Sequence, residues 1–133
     1  MKILTTVARI LLGLLFVFAG AMPFFMSAPA PLPGLAGVFN QVFFTSHWAL
    51  FLGAAQLVIG LLLLVNRFVP VALIMLAAFL YNSFAFHITM AQSGLPAPII
   101  VLVLGYLVAR PYRAVFAPLF TAEPRREASP VLS

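Results

Sequence analysis

The chain has 133 residues, 65% of them apolar, with seven basic and two acidic side chains and a net charge of +5. At 7% charged, against about 25% in a soluble domain, it cannot cover a water-facing surface and reads as an integral membrane protein. The lack of cysteine excludes disulfides, thiolate-bound zinc and cysteine-ligated iron–sulfur clusters. No stripe of Lys or Arg alternates with aromatics, which excludes a nucleic-acid surface.

Lys2 and Arg9 precede an apolar run from Ile10 to Met26 that is broken only by small residues and Pro23. With Val7 and Ala8 added, the run is long enough to span a bilayer at ~1.5 Å per residue. A signal peptide cleaved after Ala19-Gly20-Ala21 is the rival reading. The apolar run continues through Met22-Pro23-Phe24-Phe25-Met26, so a retained helix is favoured. The segment Ser27-Ala28-Pro29-Ala30-Pro31-Leu32-Pro33-Gly34 cannot stay helical. Leu35 to Phe44, with Asn40 and Gln41, reads as an apolar loop or a short interfacial helix. In the latter, Phe39, Phe43 and Phe44 would dip into the headgroup boundary.

The second span covers residues 46–65. Ala49, Gly53, Gln56 and Gly60 share one stripe, on which small residues admit a close neighbour and Gln56 can hydrogen-bond across the contact. His47 and Trp48 sit at its outer end as interfacial anchors. Asn66-Arg67-Phe68 is a tight turn and Pro70 suits a first helical turn, so spans two and three are antiparallel neighbours. That adjacency places Gln56 and Asn82 on facing stripes. The third span, residues 68–91, carries Phe79-Leu80-Tyr81-Asn82-Ser83-Phe84-Ala85-Phe86-His87-Ile88-Thr89-Met90. Gln92 to Pro96 turns into a fourth span over residues 97–113, which Pro111 kinks or stops. Residues 121–133 read as a disordered tail. The predicted fold is all-α: a four-helix up-down-up-down transmembrane bundle over residues 1–120, with an outer loop at 27–45.

All seven basic residues lie at the chain ends and in the Asn66-Arg67 turn, and none lies in the 27–46 or 92–97 loops. The positive-inside rule then puts both termini in the cytoplasm, in the plasma membrane of a bacterial-type cell.

Counting along the helices places Gln56 and Tyr106 near the midplane, Asn82 higher, and His47 and His87 at the outer boundary, roughly 30 Å from the inner turn. Lipid solvates neither an amide nor an imidazole. The Asn82 face therefore looks at protein, trapped water or a ligand. One reading is interhelical packing, with Asn82 and His87 hydrogen-bonded to neighbours for packing alone, as Gln56, Ser83 and Tyr106 also are. The other is a ligand pocket lined by His87, Asn82, Phe86, Met90 and Trp48, suited to a flat apolar molecule with one or two carbonyl or hydroxyl groups, such as a quinone or a sterol-like lipid. His47 and His87 as ligands for haem or a metal are disfavoured, because haem ligands usually sit within the bundle and a histidine at a helix start is an ordinary interfacial residue. The spans contain no carboxylate and the chain no Asp. That excludes a carboxylate proton relay and a Ser–His–Asp triad, and leaves independent catalysis little to work with.

The segment Arg9-Ile10-Leu11-Leu12-Gly13-Leu14-Leu15-Phe16-Val17-Phe18-Ala19-Gly20 resembles the opening helix of the DoxX family of four-helix membrane proteins. Pro31-Leu32-Pro33-Gly34, Leu61 to Pro70 and Asn82 to His87 resemble its later segments in order, so the likeness runs over about residues 7–120. It implies a four-helix bundle with cytoplasmic ends and association with redox systems such as thiosulfate:quinone oxidoreduction. The partners it implies are the bilayer and a membrane or peripheral oxidoreductase subunit. The alternative is a scaffold, assembly or lipid-binding protein with no redox role. This chain has Pro23 where the resemblance calls for a lysine, and Gln56 and Gly105 where it calls for glutamates. Losing all of these together leaves no uncompensated buried charge, so a neutral pocket or packing role is what survives.

The split of basic residues makes topology the first test. A periplasmic-type reporter fused after Ser133 should be inactive, and the mature chain should keep its amino terminus. An active reporter, or a chain starting at Met22, contradicts the orientation.

Overall fold

The computed structural model describes residues 2–26, 31–123 and 126. Five principal helices carry the fold: α1 (Lys2–Phe25), α2 (Gly34–Thr45), α3 (Trp48–Val65), α4 (Val69–Thr89) and α5 (Pro96–Ala109). Among the described residues there is no strand. Lys2–Phe25, Trp48–Val65, Val69–Thr89 and Gln92–Phe120 are long and apolar enough to cross a membrane. The protein is a four-helix transmembrane bundle. α5 gives way at Arg110–Tyr112 to a 3-10 turn that contains Pro111, followed by the short α6 (Arg113–Phe116). The segment between the first two spans, left open above as loop or helix, forms α2. Residues 27–30 and most of the tail expected to be disordered lie outside the described residues.

α1 makes its most extensive contact with α3 and a smaller one with α5, while α4 lies against both α3 and α5. Glycines close the α1–α3 seam. A Cβ on Gly20 would lie 2.6 Å from the Gly53 carbonyl oxygen, and one on Gly53 would lie 2.7 Å from that of Gly20. One turn-pair along, a Cβ on Gly60 would meet the Gly13 carbonyl oxygen at 2.8 Å. The two backbones touch, as small residues permit between helices that no hydrophobic force drives together. Gln56 is buried in this seam, its Cβ 2.9 Å from where a Gly20 Cβ would stand. The core continues through Leu12, Phe16, Ile59, Leu63, Leu76 and Val108, all almost wholly buried. Phe16 meets Phe79 of α4 edge to face at 5.1 Å.

The α3–α4 turn is specified locally. Asn66 takes left-handed angles (φ 56°) as the cap of α3. The Arg67 N–H donates to Leu62 O at 3.2 Å and the Asn66 N–H to Leu63 O at 3.3 Å. This paired closure satisfies carbonyls that a helix end leaves orphaned, and asparagine accepts the left-handed region more readily than most residues. Phe68 is also left-handed (φ 53°), a strain of about 1–2 kcal/mol. Its carbonyl accepts the Ala72 N–H at 3.1 Å, and Val69 beside it is buried.

Filling the seam should separate α1 from α3. Gly53→Leu is expected to cost about 1–3 kcal/mol, the range for overpacking. Ala54→Leu, on the exposed face of α3, should cost close to nothing. Reversible unfolding in mixed micelles measures both, and equal effects would remove the seam's special standing.

Candidate functional site

α3 and α4 share their turn but leave a groove of about 690 Å³ between their other halves, within the range of small-molecule sites. From α3 the groove takes Trp48, Leu52, Ala55 and Ile59, spaced by four, three and four residues. From α4 it takes a matching run from Met75 through Asn82, Ser83 and Phe86 to Met90, and α2 contributes Phe39, Asn40 and Phe43. At about 100° per residue, the groove stripe of α3 lies roughly a quarter-turn from the Gly53 stripe that meets α1.

α2 lies over the groove by aromatic contact. Phe39 sits 5.1 Å from Phe86, 5.6 Å from Phe43 and 6.4 Å from Trp48, and Phe43 sits 5.7 Å from Trp48. Such stacked, tilted and edge-to-face pairs are worth about 0.5–1.5 kcal/mol each beyond area burial. An adjacent face of α2 exposes Leu35, Val38 and Val42, as a helix half-sunk in lipid does. Phe39 and Phe43 thus turn into the groove, where the sequence had them dipping into the headgroup boundary.

The polar groups in this apolar cleft are few. The Asn82 Nδ2 donates to Ala78 O at 3.0 Å and the Thr89 hydroxyl to Ala85 O at 2.6 Å. Both bonds run back along α4, and the Asn82 carbonyl oxygen accepts no side-chain or backbone hydrogen bond among the described residues. The Asn40 carboxamide and the Ser83 hydroxyl have no side-chain hydrogen bond among the described residues, and no fully buried side-chain N or O is left unpaired. Their free capacity is therefore open to whatever enters the groove.

Of the five residues expected to line a pocket, the groove brings together Asn82, Phe86, Met90 and Trp48. His87 lies elsewhere. Its Nδ1 is 2.8 Å from Ser83 O, and its ring packs so closely on the Gln92–Gly94 turn that a Cβ on Gly94 would come within 2.7 Å of Nε2. One residue past Phe86 is about 100° round the helix, enough to carry His87 out of the cleft. Ser83 serves twice, with its carbonyl beside His87 and its side chain in the groove. His47 caps α3 in the left-handed region (φ 65°) and is exposed. No group of three or more His, Cys, Asp or Glu that could hold a metal occurs among the described residues. Gln56 does not face Asn82, since it is held in the α1 seam and does not line the groove. Tyr106, expected in the midplane polar tier, is 66% exposed. Its neighbour Gly105 occupies the buried face of α5, where a Cβ would lie 3.1 Å from Leu76. The sequence missed Asn40 as a groove residue. Its one signal was position, one residue after Phe39 on a segment whose aromatics recur at helical spacing.

A DoxX family model matches residues 4–88, covering α1 from Leu4 through all but the last residue of α4. No curated protein and no solved structure matches the chain. Two positions at which the chain departs from the expected charged residues, Pro23 and Gln56, both lie in the α1–α3 seam: a Cβ on Gly53 would be 3.2 Å from Pro23 Cγ, and one on Gly20 2.9 Å from Gln56 Cβ.

The placement of α2 has a direct check, because the chain has no native cysteine. Cysteines at Phe39 and Phe86 should join through a short bifunctional thiol reagent. Cysteines at Gln41, on the exposed far side of α2, and Phe86 should not. Linking of the second pair, or failure of the first, means α2 does not lie over the groove.

Proposed function

This chain belongs to the DoxX family, and from that premise we propose that its groove binds a flat apolar molecule of the quinone class. In this reading the protein is a non-catalytic, quinone-interacting subunit associated with a membrane redox system. The observation that carries the reading is the pairing of unengaged polar groups with aromatic walls. Asn40 and Ser83 lack side-chain hydrogen bonds among the described residues, and they line one cleft with Phe39, Phe43, Trp48, Phe86 and Met90. The Asn40 amide and the Ser83 hydroxyl can donate to a ring carbonyl, and the Asn82 oxygen can accept from a ring hydroxyl. Affinity then comes from the apolar walls and orientation from the polar groups.

We further propose that both ends of the chain face the cytoplasm of a bacterial-type cell, with the groove towards the outer surface. The charge split supports this orientation. So does the convergence of the start of α1, the α3–α4 turn and the end of α5 around one cavity at the basic end of the bundle.

Quinone analysis of protein prepared in native lipid tests the reading, with co-purified quinone expected. Asn40→Leu combined with Ser83→Ala should weaken quinone retention about 5- to 30-fold, from hydrogen bonds of roughly 1–2 kcal/mol. His87→Phe, outside the groove, should change retention by no more than about twofold, as for a substitution away from the contact. A groove that holds only acyl chains and ignores the double variant points instead to a scaffold, assembly or lipid-binding role.

A further inference from the structure

A second cavity, of about 460 Å³, lies at the opposite end of the bundle from the groove. Lys2 and Arg9 reach it from the start of α1, and Arg110 and Arg113 from the end of the last span. These are four of the five cations in residues 1–122, a stretch that contains no Asp or Glu. The fold has brought together charges about a hundred positions apart in sequence. No carboxylate is among the residues that line the cavity.

Part of this charge has an internal use. Arg9 Nη1 donates to the carbonyl oxygens of Leu63 and, at 3.4 Å, Leu64, at the end of α3 where helix carbonyls are orphaned and the dipole is negative. Nothing comparable engages Lys2, Arg110 or Arg113 among the described residues. Three like charges around one cavity at a membrane boundary repel one another, and a bound anion removes that repulsion. The remaining lining suits an oxyanion. Thr6 and Tyr112 add hydroxyl donors, while Leu4 and Leu107 supply apolar wall. Arginine forks match phosphate oxygens in particular, and basic pockets at the ends of membrane helices are established places for lipid phosphates.

We propose that this cavity binds a phosphate oxyanion, carried either by an anionic phospholipid headgroup or by a soluble phosphate. The site is independent of the groove and of any quinone within it. General attraction of basic residues to an anionic membrane differs from this site in one testable respect. Arg67 stands on the α3–α4 turn at the same end of the bundle, next to the cavity-lining Asn66, yet does not line the cavity. It carries the same charge without the site.

The test uses the full chain in detergent. Native mass spectrometry scores retention of phosphatidylglycerol against phosphatidylcholine, and a parallel titration uses inorganic phosphate. Unmodified protein should prefer phosphatidylglycerol. Arg110→Gln with Arg113→Gln should lower that preference about 30-fold, from roughly 1 kcal/mol per cation near the surface, whereas Arg67→Gln should leave it within about twofold. Inorganic phosphate binding with the same dependence on Arg110 and Arg113, without lipid preference, supports the site and identifies the soluble source. Arg9 is left in place because it also ties α1 to α3. The proposal is overturned if unmodified protein, which needs no variant to fold, selects neither probe. It is equally overturned if Arg67→Gln has the effect of the double variant.

Discussion

The contact on which the rest depends is the backbone-to-backbone seam of α1 and α3. Inside a bilayer, lipid tails solvate leucine as well as another leucine does, so helix association rests on close packing and on polar contacts. Gly13 and Gly20 of α1 against Gly53 and Gly60 of α3 give up all side-chain volume at the contact, and each carbonyl stands where the facing glycine's Cβ would be. Beside this contact the neutral Pro23 and Gln56 stand where charged residues were expected. A glutamine fills nearly the volume of a glutamate, so what the seam lacks at position 56 is charge rather than room, and no uncompensated buried charge results.

Once α1 claims the small face of α3, the remaining arrangement has few choices. The adjacent face of α3, with Trp48, Leu52, Ala55 and Ile59, is left for α4. Those side chains are larger, so α4 cannot approach as closely as α1 does, and the space between becomes the groove. α2 then has an apolar cleft to cover, and Phe39 and Phe43 do so by aromatic contact with Trp48 and Phe86. α2 has no side-chain cap at its start, and at its end only the Ser46 hydroxyl donating to Phe43 O at 3.4 Å. A helix this short is marginal on propensity alone; its order depends on those rings.

Much of this was legible in the residues. Hydropathy and charge located the four spans, because a membrane imposes length and polarity on each helix independently of its neighbours. The small stripe of α3 was legible for a similar reason, since Ala49, Gly53, Gln56 and Gly60 keep a fixed spacing. Its partner was not. A tight turn dictates that α3 and α4 are neighbours, but not which face each turns to the other, and Gln56 was accordingly expected opposite Asn82 and lies against Gly20 instead. The same limit applies on α4. A broad polar face on a helical wheel holds both Phe86 and His87, and only packing decides that Phe86 enters the groove while His87 turns to Gly94. Convergence of distant segments was the least legible feature. Lys2 and Arg113 look like two unrelated topology signals until the first and last spans meet.

The two ends of the bundle therefore carry different chemistry for one physical reason. Membrane insertion sends cations to one side and leaves the other side to uncharged residues, so any polar recognition in the groove must use amides and hydroxyls. A groove built from Asn40, Asn82 and Ser83 can discriminate by hydrogen-bond geometry but has no charge with which to attract an anion. The cavity beside Arg110 and Arg113 combines an excess of charge with apolar walls from Leu4, Leu107 and Val108. A neutral ring compound in the first and an oxyanion in the second are the occupants we propose for these linings. Because α1 takes part in the cavity lining and, through the glycine seam, holds α3 in place beside the groove, the seam is the physical element that joins the two sites.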